Sequence, residues 1–129
     1  YLPVAVAGGL LSLGDGHVAQ RGGELSGTAI ESVLEEVVIN IRVMKGMKIG
    51  LPRARTREGW VTMGFGKSMD DAAACAVGEM LTLMEGELGV GRAEALALAS
   101  SAVDLRVTQV VNPLKGMHAV WGRSGRVVE

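Results

Sequence analysis

Residues 59–89 read GWVTMGFGKSMDDAAACAVGEMLTLMEGELG, and inside this stretch the apolar period changes from that of a strand to that of a helix. Gly59 to Gly66 carries the strand pattern. From Met69 onward, Met69, Ala72, Ala73, Ala76, Val77, Met80, Leu81 and Met84 recur at helical spacing, and Ser68-Met69-Asp70-Asp71 ahead of them has the S-x-x-D form of a capping box. The spacing predicts a helix of about five turns, ended by Gly89 and Gly91. A second helix follows from Arg92 to about Val103, with Ala93, Leu96, Ala97 and Ser101 as its apolar positions.

Leu105 to Val111 returns to strand, Asn112-Pro113-Leu114-Lys115-Gly116 makes a turn, and Met117 to Trp121 is the last strand. Toward the N-terminus, Val37, Ile39, Ile41 and Val43 alternate with Asn40 and Arg42, the mark of a half-buried strand. Residues 45–58 hold Gly46, Gly50 and Pro52 among charges and read as a strand end and an exposed loop. Residues 2–6 and 10–20 predict strands broken at Gly8-Gly9, and Gly22-Gly23 turns the second of them back into a strand over 25–32. Strands, two consecutive helices inserted before the last two strands, then strands again define an α+β fold with an antiparallel or mixed sheet.

A chain of 129 residues is one domain's worth, able to bury roughly two thirds of its unfolded surface. With 48% hydrophobic residues and a formal charge of −1, it has the composition of a globular protein and not of a disordered one. Thirteen basic against fourteen acidic side chains leave no overall field for nonspecific nucleic-acid binding, although Arg42, Lys45, Lys48, Arg53, Arg55 and Arg57 are locally basic. No apolar run approaches the ~20 residues of a membrane span. A single cysteine, Cys75, forms no internal disulfide and no multi-thiolate zinc site, which fits a reducing, cytoplasmic setting. The first residue, Tyr1, sits directly on an apolar segment with no initiating methionine, so a cut or processed end is expected. No P-loop, dinucleotide fingerprint, G-x-S-x-G elbow or H-E-x-x-H occurs.

The polar candidates gather near the first expected hairpin. Asp15 and His17, two apart on a strand, project from the face that carries Leu11 and Leu13, with Gly14 and Gly16 leaving the opposite face open. A type I′ turn at Gly22-Gly23 would set His17 opposite Thr28 and bring Asp15, His17, Glu24, Ser26 and Thr28 onto one face; a shift of one residue would send Glu24 to the other. A carboxylate and an imidazole so placed can bind a divalent cation or activate water. The alternative stays open: Asp15 capping a turn and His17 a satisfied core histidine. Downstream, Asp104 and Arg106 read as an ion pair fixing a corner, and His118 follows the turn glycine Gly116.

Several blocks together resemble the acetamidase/formamidase family of small-amide hydrolases. They are Tyr1-Leu2-Pro3-Val4, Gly14-Asp15-Gly16-His17-Val18-Ala19-Gln20, Gly23-Glu24-Leu25-Ser26-Gly27-Thr28-Ala29-Ile30-Glu31, Thr62-Met63-Gly64-Phe65, Ala102 to Val111, and Lys115-Gly116-Met117-His118-Ala119. The family's order and spacing are kept over residues 1 to about 120. Two departures stand out: Arg21-Gly22-Gly23 where members commonly have Gly-Asp-Gly, and residues 121–126 where members carry a Pro-containing tail.

The resemblance implies that residues 1–129 are a C-terminal α+β domain, lacking the family's N-terminal β-rich half. It implies hydrolysis of formamide, acetamide or a related small amide to carboxylate and ammonia, assisted by a divalent metal such as zinc or calcium. For this chemistry the convergence on one strand face assigns Asp15 and His17 to orient the metal or activated water and Glu24 to transfer the proton, the last only if the hairpin register holds, with Thr28, Gln20 and His118 as substrate-binding candidates. A homodimer, or a partner half, completes the expectation. The alternative is a noncatalytic fragment or subunit that needs its partner to finish both fold and site; neither nucleic acid nor membrane is expected as a partner.

Overall fold

The computed structural model describes residues 1–14 and 16–122. Two short strands, His17–Ala19 (β1) and Ile30–Glu31 (β2), pair antiparallel. All other regular structure follows residue 52. Arg53–Arg55 (β3), Gly59–Gly66 (β4), Val103–Gln109 (β5) and Lys115–Gly122 (β6) form a four-stranded antiparallel sheet in the order β3-β4-β6-β5. Met69–Leu88 (α1) and Arg92–Ala102 (α2) stand in sequence between β4 and β5, so the α+β architecture with two helices before the last two strands is borne out.

Helix α1 begins where the capping box places it. The Ser68 hydroxyl accepts from the Asp71 amide at 3.1 Å, and the Asp71 carboxylate accepts from the Ser68 amide at 3.2 Å, satisfying amides that the first helical turn leaves unpaired. Gly89 ends the helix in the left-handed conformation, φ 67°, which costs a glycine little.

One face of the sheet packs on α1. The Thr62 hydroxyl, buried, donates to the Ala76 carbonyl at 2.9 Å. Gly64 lies so close to the α1 backbone at Ala72 and Ala76 that a Cβ would collide with it. Across the ladder Thr62 pairs with Ala119, Gly64 with Met117 and Trp60 with Trp121, so these side chains share that face with Met80, Met84, Ala95 and Ala99 from the helices. On α2 the buried positions are Ala95 and Ala99, whereas Leu96, expected to face inward, is half exposed.

The expected strands before residue 52 are largely not formed. Of 2–6, 10–20, 25–32 and 37–44, only β1 and β2 are strands among the described residues. The hairpin register is also different. His17 pairs with Glu31 and not with Thr28, and Ala19 with Ile30 across an irregularity. The physical cause lies at the turn. Positive φ falls on Gly23 (100°) and Glu24 (33°), one position later than a type I′ turn on Gly22-Gly23 requires. Residues 23 and 24 are bound to the end of β5 instead: the Gly23 amide donates to the Thr108 carbonyl (3.0 Å), and the amides of Val110 and Val111 donate to the Gly23 and Glu24 carbonyls (3.1 and 3.3 Å).

Candidate functional site

Strand alternation sends the residues that do not face α1 to the other side of the sheet. Val61 and Met63 of β4, His118 and Val120 of β6, Asp104 and Arg106 of β5 and Ala54 of β3 share this second face, which no helix among the described residues covers. A cleft of about 580 Å³ opens on it, walled by Ala54, Val61, Met63 and Val120 and edged by the polar groups of Thr56, Arg57, Glu58, Arg106, Thr108 and His118. An apolar floor with a few converging polar groups is the usual make-up of a small-molecule site.

His118 is the histidine that lines it. It pairs with Met63 on one side and Arg106 on the other, and its Nδ1 lies 2.7 Å from the Thr108 hydroxyl. Burial, and then the Arg106 charge, lower its pKa, so the ring is held neutral near pH 7. Arg106 in turn is clamped: one guanidinium nitrogen donates to Glu58 and the other to Asp104, each at 3.3 Å. The corner ion pair expected of Asp104 and Arg106 is therefore present, with Glu58 as a second carboxylate.

The residues expected to form the site are distributed over separate places. Asp15 lies outside the described residues. His17 has Gln20 at 3.3 Å from its Nδ1 and Glu31 at 3.9 Å from its Nε2. Thr28 is exposed, its amide donating to the Ser26 hydroxyl at 3.2 Å. Glu24 accepts from the Asn112 side chain at 3.2 Å, beside the β5–β6 turn. His118 alone of the expected set lines the cleft. Thr108, Glu58 and Met63 were not singled out by sequence reasoning; Glu58 stands 48 residues from Arg106, a separation at which spacing carries no signal.

For a divalent metal, the described residues offer no group of three or more His, Cys, Asp or Glu side chains able to hold one. His17 and Glu31 supply two donors where a protein-bound zinc takes three or four. They do not fit a metal by themselves. No helix among the described residues is long and apolar enough to cross a membrane.

No protein-family model matches the chain, and no curated protein matches it. Among solved structures it is similar to an acetamidase from Bacillus halodurans, at 33% identity and a TM-score of 0.53, over 56% of this chain and 24% of that one. The chain thus spans about a quarter of that acetamidase's length. With a third of the aligned residues shared on a common fold, the chain resembles the acetamidase/formamidase family, as its sequence blocks imply.

Proposed function

We propose that this chain supplies part of the active site of a hydrolase of small linear amides, which converts a formamide- or acetamide-like substrate and water to carboxylate and ammonia. The observation that carries this reading is a neutral imidazole, His118, set in an open-faced cleft beside a clamped guanidinium, Arg106. Amide hydrolysis asks for a proton acceptor for water, a polarised carbonyl and a proton for the departing nitrogen. With its own proton on Nδ1 and donated to the Thr108 hydroxyl, His118 can take the proton from water at Nε2 and later return it to the amine. Arg106 can donate to the carbonyl oxygen as it gains charge, its own position fixed by Glu58 and Asp104. The likeness to an acetamidase supports the reaction class.

Asp15 and His17 remain proposed as contributors to a zinc or calcium site. Further donors for such an ion would come from a partner half or a second copy. In this reading the chain is the C-terminal α+β domain of a longer, cytoplasmic, homodimeric enzyme. The exposed apolar residues of the first fifty favour the companion reading that the chain alone is incomplete and inactive.

The test is ammonia release from formamide and acetamide by the purified chain, with and without zinc or calcium, and by the chain joined to its upstream half. The expected outcome is turnover in the joined form and a drop of at least about a hundredfold in kcat for His118→Ala. Turnover of His118→Ala equal to that of the parent enzyme would remove the cleft from the chemistry.

A further inference from the structure

Strand β5 carries a bulge where it passes His118. Val107 pairs with Met117 and Gln109 with Gly116, so Thr108 is an extra residue and two residues face Gly116. Gly116 makes this possible, because a Cβ there would press on the side chains of both, at 3.2 Å from Thr108 and 2.8 Å from Gln109. The bulge thereby sets Thr108 further back along the strand, toward His118, than a regular ladder would. Gly23 fixes the displaced backbone through its bonds to the Thr108 carbonyl and the Val110 amide. Bulges recur next to active sites, where they re-aim a side chain.

Resting on the amide-hydrolase reading above, we propose that Thr108 is the positioning residue for His118: its hydroxyl accepts the Nδ1 proton, so that the ring stands in a fixed plane with the Nε2 lone pair turned to the cleft. An imidazole free in water keeps its proton mostly on the other nitrogen and rotates about its side-chain bonds. A hydroxyl at 2.7 Å can accept from Nδ1 or donate to it, and either way restrains the ring; as the acceptor it holds the proton on Nδ1 and leaves Nε2 free. Thr108 touches the reaction only through the ring.

The measurement is the ring 15N and 13C chemical shifts of His118 in the histidine-labelled 129-residue chain near neutral pH, with His17 assigned through His17→Gln. The parent chain and Thr108→Ser are expected to hold the proton on Nδ1, and Thr108→Val to move it to Nε2. Alongside, kcat and KM for formamide are read on the form of the enzyme that releases ammonia. Thr108→Val is expected to lose about tenfold or more in kcat with KM nearly unchanged, and Thr108→Ser to recover most of it. A parent ring already protonated at Nε2, or a Thr108→Val ring unchanged from the parent, overturns the proposal. If the shifts behave as expected while no form hydrolyses any amide, the functional reading falls and the hold of Thr108 on the ring stands.

Discussion

At His118 two influences act in the same direction: partial burial removes water from the charged ring, and Arg106 repels it. The folded state therefore binds a proton less readily than the unfolded chain, whose histidine titrates at the ordinary value of 6.5. Above that value neither state carries the proton, and the contribution of this residue to stability is fully present. As the pH falls through 6.5 toward the lower folded value, the unfolded chain takes up the proton first and stability declines. Urea unfolding of the parent chain between about pH 7.5 and pH 5.5 is expected to show this decline. His118→Gln, which keeps a hydrogen-bonding side chain without the charge, should flatten it. An equal slope in both proteins would mean that some other group carries the acid sensitivity.

Between elements, the contact of α1 with β4 decides whether the second layer can close. Gly64 and the backbone at Ala72 and Ala76 meet with no room for a methyl group, so Gly64→Ala forces the helix away from the sheet. We expect a loss of about 2–3 kcal/mol in urea unfolding. Gly86, in the same chain of elements but with nothing near its Cβ position, is the control: Gly86→Ala should gain about 0.5–1 kcal/mol from helix propensity. Similar losses at the two sites would sink the close-packing account. The α1 boundary itself was legible because it is written locally, in Ser68, Asp71 and Gly89. So were β4, β5 and β6 to within about two residues. The inward face of α2 was not legible, because alanines at 93, 95, 97 and 99 offer two rival stripes of equal hydrophobicity and only the tertiary contact chooses between them. Thr108 escaped notice for a related reason. Its role comes from a bulge set by Gly116 and Gly23, and no periodicity in β5 announces an extra residue.

For the whole molecule, the alternation of Val37, Ile39, Ile41 and Val43 has a clear meaning that this chain alone does not satisfy. A strand pattern states which residues could be buried, and burial needs a neighbour to receive them; residues 33–43 have no strand partner among the described residues. These four side chains are 62%, 47%, 64% and 83% exposed, and Leu10, Leu25 and Val33 are more than four fifths exposed. Apolar surface gathered on one segment at this level marks an interface, because a side chain left wholly in water forfeits about 1.5–3 kcal/mol of transfer free energy and a half-exposed one a corresponding share. The isolated chain is therefore expected to associate as its concentration rises and to bind a hydrophobic dye, with the association driven by residues before 52 and not by the α1-covered sheet. Replacing Ile39 and Ile41 together by threonine keeps strand propensity while reducing apolar area. That double variant should shift the sedimentation profile toward monomer and leave the cooperative unfolding of the sheet and helices unchanged. A parent chain that sediments as a monomer over the whole accessible concentration range would show that the segment folds onto its own molecule, and the need for a completing partner would disappear with it.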